Sequence, residues 1–445
     1  MSDTPRLRSW LLAAALLWMA VNNGVMVWHT RVQIRQGYGD FASFYTAGTL
    51  VRRGLGADLY SLAAQWKVQQ EFASEVKIRQ GPLAYIRPPY EALLFSIFAR
   101  WPYVTALLLW TILKLALLVT IPFIVVRGRF WKESFPLWTT GILVLGTFPA
   151  LMDMLTGQDA VLLAFLFAVC FWQLETGRDA GAGVTLGLAL VKFQLAIPFF
   201  LVLWISGRKR VVPGFVTSAS VVLAISAALI GWRPLLKYPA YLLALNRAVG
   251  VGIAPETQLN LRGLLIFLVG RVPYPGPIHW TLAPLAVGSI VYAGLIWRKA
   301  GHGFLAEGFG LAAIVAIATS YYACDYDLLL LIVPLLAMLT RPDAAPETDR
   351  MSRYLEVTGL LLLLLTPVYW FTRLQLHAEC LMALPLLALG VALARRLSHA
   401  GAGGGNKEMG AGARWIRMKN ERRPGLSLLP SLNGASHCRV RGTPA

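Results

Sequence analysis

The sequence predicts an all-α, polytopic integral membrane protein, and two observations carry that prediction. The first is composition, because 57% of the 445 residues are hydrophobic and only 14% are charged. A soluble chain of this length does not need so much apolar surface. The second is the recurrence of long apolar runs, since a bilayer core about 30 Å thick takes roughly 20 apolar residues per helix. We therefore expect about 11 to 13 transmembrane segments.

The apolar runs follow one another along most of the chain. They lie at 9–28, 103–126, 136–155, 159–175, 182–206, 211–230, 278–297, 304–323, 326–340, 354–371 and 376–395. Shorter apolar stretches at 89–99 and 261–270 are expected to be half-helices or re-entrant elements. The first run reaches Trp28 without a small-x-small cleavage site, so we expect an uncleaved anchor with a cytoplasmic N-terminus.

The net charge of +19 raises the question of nucleic-acid binding, but the placement of the basic residues argues against it. They cluster in short connectors at 127–132, 208–210, 298–299 and 395–396. An excess of Lys and Arg in short loops is typical of the cytoplasmic face of a membrane protein. We expect contact with membrane lipids, no nucleic-acid partner, a transmembrane domain over 1–395, and a disordered basic cytoplasmic tail over 396–445.

The order of the segments across the membrane stays open. Strict alternation from a cytoplasmic N-terminus, with a crossing at 89–99, would place the basic connector 127–132 outside. A re-entrant 89–99 restores most basic loops to the inside, and so does a break of 182–206 into two half-helices at Lys192. We favour such broken helices.

The segment 30–88 is the longest connection between apolar runs, and we expect it to form the first loop on the outer face. Its apolar residues recur at helical spacing, which predicts two amphipathic helices lying flat in the headgroup layer. These residues are Phe41, Phe44, Tyr45, Gly48 and Val51, followed by Leu59, Leu62 and Trp66. Asp40 precedes the first helix, where it is either an N-cap or a catalytic carboxylate at the membrane boundary.

Further polar residues interrupt or border the apolar runs. They are Arg87, the Gly157-Gln158-Asp159 triplet, Lys192 with Gln194, Glu256 with Asn260 and Arg262, and Asp325 with Asp327. Ionisable groups at these depths cost several kcal/mol unless they are paired or face water, so we expect one shared polar cavity. Structural alternatives stay open, because basic side chains near helix ends snorkel and acids there cap helices. Aromatic residues such as Tyr45 and Tyr85 either stack on a sugar or anchor the interface.

The inventory of motifs limits the chemistry of such a cavity. The chain has no HExxH, no Cys/His cluster, no G-x-S-x-G and no paired cysteine spacing, so hydrolase triads and zinc chemistry have no support. Acids beside cations suit the transfer of a sugar from a lipid phosphate. Cations hold the departing phosphate while one base takes a proton from the acceptor hydroxyl. The alternative is a transporter or flippase of a polyisoprenyl-linked or anionic substrate, although no convincing internal repeat supports it.

Five stretches carry a resemblance to a known family. They are DFASFYTAG at 40–48, YIRPPYEALLF at 85–95, TGQDAVLLA at 156–164, LVKFQ at 190–194 and YDLLLLIVPLLA at 326–337. Together they resemble the bacterial GT-C glycosyltransferases of family 87, the polyprenyl-phosphate-mannose-type mannosyltransferases, over roughly residues 36–340. Three positions depart from the family's usual pattern. Phe193 stands for a proline, Asp159 for an asparagine and Glu91 for an apolar residue.

The resemblance implies an inverting transferase that needs no metal or cofactor. It would move a hexose, with mannose the expected sugar, from a polyprenyl-phosphate donor to a glycolipid or glycan acceptor. The site would face the periplasm from a bacterial inner membrane. The implied roles are base for Asp40, donor-phosphate binding for Arg87, Lys192 and Arg262, and sugar or acceptor binding for Tyr45, Tyr85, Gln158, Asp325 and Asp327.

Overall fold

The structure is a computed structural model, and it describes residues 4–37, 39–73, 81–126, 144, 146–247, 257–270, 276–339, 368–369 and 371–403. Every regular element in these ranges is a helix, which confirms the all-α prediction. Contacts divide the chain into one unit over Met1–Gly401 and a second over Ala402–Ala445. The fold and the site described below belong to the first unit. Most of the expected tail, from residue 404 on, lies outside the described residues.

Most of the predicted apolar runs that lie in the described residues form α-helices, and several of these helices begin with recognisable signals. The helices are α1 (Thr4–Arg35), α2 (Phe41–Arg52), α3 (Leu62–Phe72), α4 (Pro89–Phe98), α5 (Tyr103–Val126), α6 (Phe148–Thr156), α7 (Ala160–Glu175), α8 (Asp179–Leu188), α9 (Phe193–Ile205), α10 (Val211–Ile230), α11 (Trp232–Arg247), α12 (Leu261–Val269), α13 (Gly276–Ala300), α14 (Leu305–Thr319), α15 (Ile332–Leu339) and α16 (Ala383–Gly403). Ser61 and Asn260 cap α3 and α12 through their side chains. Pro89 opens α4, where its missing N–H costs nothing.

Short 3₁₀ segments join several helices, at Gly56–Asp58, Ala189–Lys192, His302–Phe304, Asp325–Leu331 and Glu379–Met382. The segment Ala189–Lys192 is a 3₁₀ turn between α8 and α9. The stretch Asp179–Ile205 as a whole is long and apolar enough to span a membrane, so the division of 182–206 into two half-helices at Lys192 stays a prediction.

Six stretches of the described residues are long and apolar enough to span a membrane. They are Tyr103–Val126, Asp179–Ile205, Val211–Ile230, Trp280–Ala300, His302–Thr319 and Glu379–Gly401. The protein is therefore a multi-pass membrane protein. The expected total of 11 to 13 segments stays a prediction, because part of the run 136–155 and most of the run 354–371 lie outside the described residues.

Both helices predicted for the first outer loop form, as α2 and α3. The prediction that they lie flat in the headgroup layer needs correction for α2, because residues 41–50 are all buried. Phe44 stacks on Phe95 of α4 at 4.8 Å between ring centroids, and Phe41 meets the same ring edge-on. The aromatic residues that suggested an amphipathic surface thus form a second hydrophobic core with α4 and the start of α5.

The main core lies among α5, α7, α9, α14, α15 and α16. Helix α14 is buried along nearly its whole length, so it is the central helix of this core. Helices α8 and α10 pack closely because glycines face each other's backbone. A Cβ at Gly183 would overlap the carbonyl oxygen of Val211, and a Cβ at Gly214 would overlap that of Ala180. Small residues that allow such backbone approach are typical of membrane helix pairs.

Candidate functional site

Asp40 lies directly before α2, and its side chain does not cap that helix. Its Oδ2 instead accepts a 2.7 Å hydrogen bond from Nε2 of Gln158. The carboxylate is half-buried and lines a cavity of about 300 Å³. The other carboxylate oxygen, Oδ1, has no hydrogen-bond partner among the described residues. The capping interpretation of Asp40 is therefore wrong, and one oxygen stays available to a proton donor in the cavity.

The turn between α6 and α7 brings Gln158 to this position. Gly157 ends α6 in the left-handed region with φ 71°, and a Cβ there would collide with Cβ of Phe41. Both observations favour glycine. The carbonyl oxygen of Gly157 accepts a 3.0 Å hydrogen bond from Nε1 of Trp110, which fixes the turn from the other side.

Gln158 joins Asp40 to a buried network of charges. Nη2 of Arg87 donates to Oε1 of Gln158 and to Oδ1 of Asp159, each at 3.0 Å. Nζ of Lys192 lies 3.0 Å from the same Asp159 oxygen and 2.6 Å from Oδ1 of Asp327. The network contains alternating cations and anions, so most of its charge is neutralised internally.

Asp159 holds this network together. It lies in the turn before α7. Its Oδ1 is 3.0 Å from Nη2 of Arg87 and 3.0 Å from Nζ of Lys192, so two cations stabilise this buried carboxylate. Oδ2 of Asp159 and Oε1 of Glu91 are buried and have no hydrogen-bond partner among the described residues. The hydroxyl of Tyr85 lies 3.2 Å from Oε2 of Glu91.

A second buried ion pair stabilises the turn between α6 and α7. Nζ of Lys114 lies 2.7 Å from Oδ2 of Asp153, and both side chains are fully buried. Oδ1 of Asp153 accepts from the backbone N–H groups of Ala160 and Val161, at 2.8 and 3.3 Å. Asp153 therefore satisfies the free amides at the start of α7 and fixes the residues just before it.

Several predicted residues meet in the cavity beside Asp40. Arg87, Gln158, Asp325 and Asp327 are part of its wall. Oδ1 of Asp325 accepts from the N–H of Tyr326 at 2.8 Å, and Oδ2 of Asp327 accepts from that of Cys324 at 3.0 Å. Asp327 is thus part of a capping box at the start of the 3₁₀ segment Asp325–Leu331, whose N-cap is Cys324, and both acids also face the cavity.

Other predicted residues do not reach the cavity wall. Tyr45 donates to the backbone oxygen of Trp101 at 2.9 Å, and Tyr85 is fully buried among backbone partners and Glu91. Neither is placed to contact a sugar, and we do not assign them that role. Lys192 is fully buried behind Asp159 and Asp327. Arg262 is buried against the ring of Tyr321, with 4.1 Å from its guanidinium carbon to the ring centroid.

The cavity wall also holds residues that the sequence did not single out for the site. These are Ser43, Leu83, Ala84, Ile86, Met152, Thr156, Thr257, Tyr322, Cys324, Tyr326 and Glu379. Gln194 belongs to the wall as well, and its position inside an apolar run was the signal for it. The same signal was present for Lys114 and Asp153, which interrupt apolar runs. Glu256 lies outside the described residues.

A second cavity of about 460 Å³ adjoins the first. The two share Ile86, Arg87, Gln194 and Tyr322. The remaining wall of the second cavity is apolar or aromatic, and consists of Val191, Phe193, Tyr238, Pro239, Leu242, Leu243, Leu245 and Tyr321. A polar cavity with a carboxylate thus continues into an apolar one, with Arg87 at the junction.

One of three comparisons with known proteins gives a match. The family model described as GT87, Glycosyltransferase family 87, matches residues 85–320, slightly more than half of the chain. The matched range includes Arg87, Gln158 and Lys192, whereas Asp40 precedes it. No curated protein and no solved structure matches the chain.

Proposed function

Because the chain belongs to glycosyltransferase family 87, we propose that it is an inverting transferase with a polyprenyl-phosphate hexose as donor. The acceptor would be a hydroxyl group of a glycolipid or glycan, and mannose is the expected sugar. The observation that carries this proposal is the position of Asp40. Its carboxylate faces a cavity, is oriented by Gln158 and shares that cavity with the guanidinium of Arg87.

The proposed reaction is a single displacement. Oδ1 of Asp40 takes the proton of the acceptor hydroxyl as its oxygen attacks the anomeric carbon of the donor sugar. The bond between that carbon and the phosphate oxygen breaks, and the polyprenyl phosphate leaves with the electron pair and one more negative charge. Attack opposite to the leaving group inverts the anomeric centre. One base suffices, since a phosphate leaving group needs no proton at the moment of departure.

Arg87 is the residue that we propose for the donor phosphate. It lies in the walls of both cavities, and its Nε is buried without a hydrogen-bond partner among the described residues. A guanidinium beside the departing oxygens stabilises the charge that develops on them. Lys192 is paired with two carboxylates at 2.6 and 3.0 Å, so we propose that it positions Asp159 and Asp327. Arg262 remains a weaker candidate, because it lies behind the aromatic wall of the second cavity.

The apolar cavity supports a lipid donor. Its wall of leucine, proline and aromatic side chains suits an isoprenoid chain, and the junction at Arg87 suits the phosphate at the end of that chain. The sugar would then extend into the polar cavity toward Asp40. A water-soluble nucleotide sugar would have no use for this apolar continuation.

The positions of the basic connectors support a site on the periplasmic face. Helices α9 and α14 contain 13 and 15 residues, and each has one end near the site. At 1.5 Å per residue their other ends lie about 20 Å away. Those far ends border the connectors 208–210 and 298–299. Because Lys and Arg in short loops stay in the cytoplasm, the site would face the opposite side of a bacterial inner membrane.

The test is transfer by the purified protein in detergent or nanodiscs. Synthetic polyprenyl-phosphate hexoses that differ only in the sugar are incubated with glycolipid acceptors, and the anomeric configuration of the product is read by NMR. We expect transfer with inversion. Retention of configuration, or transfer from a nucleotide sugar without the lipid donor, would contradict the proposal. Movement of the intact donor between leaflets without transfer would instead favour a flippase.

A further inference from the structure

A third cavity lies at the end of α9 and α14 that is far from the candidate site. Its volume is about 280 Å³. It is lined by Ser206, Gly207, Arg208, Lys209, Trp297, Arg298, Gly301 and His302. These residues come from the connector between α9 and α10 and from the end of α13 with the turn that follows it. Two short connectors that are 90 positions apart in sequence thus form one concave surface.

The cavity wall is strongly basic. It contains Arg208, Lys209 and Arg298, and no carboxylate lines it in the part of the chain that the structure describes. Arg208 is buried, lies 3.1 Å from Asp179 and faces the ring of Trp297 at 5.9 Å. Asp179 therefore neutralises one of the three cations, while Lys209 and Arg298 are exposed. The aliphatic part of Arg298 lies 3.9 Å from the Cβ position of Gly207, so it follows the wall of the cavity.

The surface beside the cavity is apolar. Trp204, two residues before Ser206, is 50% exposed, and Leu295, two residues before Trp297, is 44% exposed. Helices α9 and α13 are in contact here, because a Cβ at Gly294 would meet the side chain of Ile205. In a membrane-spanning protein, such exposed apolar side chains face lipid. A tryptophan near a helix end is typical of the membrane–water interface.

We propose that this cavity binds the anionic headgroup of a membrane phospholipid, whose acyl chains lie on the adjoining faces of α9 and α13. A phosphate or phosphodiester group is the ligand chemistry that Lys209, Arg298 and Arg208 fit. Free phosphate shares that chemistry, but the exposed apolar surface next to the cavity favours a phosphate that carries acyl chains. The site is separate from the donor site and does not depend on the proposed reaction.

The test measures lipid binding, not sugar transfer. The full-length protein is delipidated in detergent, and retention of phosphatidylglycerol is compared with that of phosphatidylcholine by native mass spectrometry. The double variant Lys209→Gln/Arg298→Gln is compared with the control Lys67→Gln/Arg100→Gln, which removes two exposed charges outside the cavity. We expect the first double variant to lose phosphatidylglycerol affinity by roughly fivefold per charge. The control should stay within twofold of the wild type.

Each other outcome overturns a defined part of the proposal. Equal losses in both double variants would mean diffuse attraction to anionic lipid and no specific cavity. Equal binding of phosphatidylcholine would remove the headgroup charge from the explanation. Displacement of the lipid by millimolar inorganic phosphate in the wild type would identify a soluble phosphate group as the ligand. A thermal melt of each variant shows whether the substitutions alter folding.

Discussion

The side-chain amide of Gln158 donates a 2.7 Å hydrogen bond to Asp40, and its carbonyl oxygen accepts one of 3.0 Å from Arg87. One neutral side chain thus connects the proposed base to the proposed phosphate ligand. In the displacement with inversion that we propose, the two groups would act on opposite sides of the reacting carbon. Their relative position is therefore as important as their chemistry.

Replacement of Gln158 by alanine should lower kcat more than it raises the donor KM. The variant keeps both Asp40 and Arg87 but removes the side chain that orients them. Misplacement of a reacting group can cost roughly 100-fold, so we expect a loss of kcat of about 10- to 100-fold. Steady-state kinetics with the lipid donor check this. Gln70→Ala, an exposed glutamine on α3, is the matched control. A Gln158→Ala enzyme with unchanged kcat would remove Gln158 from the positioning role.

Arg87→Lys should weaken donor binding although it keeps the charge. A lysine cannot contact Gln158 and Asp159 with one nitrogen and still direct a second nitrogen at a phosphate. We expect the donor KM to rise by roughly 10- to 100-fold, the value of one charge-assisted hydrogen bond. The double variant Arg87→Gln/Asp159→Asn, which leaves no unpaired buried charge at this pair, separates the effect on folding from that on binding. An unchanged donor KM in Arg87→Lys would argue against the phosphate role.

Lys114→Met should destabilise the protein strongly. The substitution leaves the buried carboxylate of Asp153 without its cation, and the loss of one partner of a buried pair costs about 3–5 kcal/mol. Arg53→Gln is the control, because Arg53 and Glu71 form an exposed pair whose loss costs less than about 1 kcal/mol. Denaturant unfolding in mixed micelles compares the two variants. Equal free-energy changes would contradict the structural role of Lys114.

Leu242→Trp should discriminate between donors by the length of their lipid. Leu242 lines the apolar cavity, so a larger side chain there takes space from an isoprenoid chain. We expect a higher KM for a long polyprenyl-phosphate hexose and little change for a short-chain analogue. Leu236→Trp, at an exposed position of the same helix α11, is the matched control. If both donors respond equally to Leu242→Trp, the cavity does not hold the tail.

The positions of the helices could be predicted from the sequence better than the tertiary contacts that the helices make. Runs such as 103–126 and 211–230 coincide with α5 and α10, because twenty apolar residues have few alternatives in a membrane protein. The pattern in α2 was misleading. Phe41, Phe44 and Tyr45 recur at helical spacing, but Phe44 stacks on Phe95, some fifty positions later in the chain. Hydrophobic periodicity identifies a helix and its apolar face, whereas only tertiary contacts decide what covers that face.

Several residues that the sequence singled out lie together in the fold, but their pairing could not be predicted and their roles stay predictions. Polar residues that interrupt or border apolar runs pointed to Arg87, Gln158, Lys192 and Asp327, which Asp159 joins into one network. Which cation is neutralised depends on contacts between residues that are more than a hundred positions apart in the sequence, such as Lys192 and Asp327. Lys192 therefore looked like a phosphate ligand in sequence and is enclosed by acids in the fold. The same limitation applied to Tyr85, whose hydroxyl is occupied by Pro88 and Glu91.

The most direct test of the account is the rate of sugar transfer by Asp40→Asn. An asparagine keeps the size of the side chain and can accept the hydrogen bond from Gln158, but it cannot take a proton from the acceptor. We predict that transfer falls by at least about 100-fold while donor binding and the melting temperature stay near those of the wild type. Transfer at a near wild-type rate would contradict the assignment of Asp40 as the base.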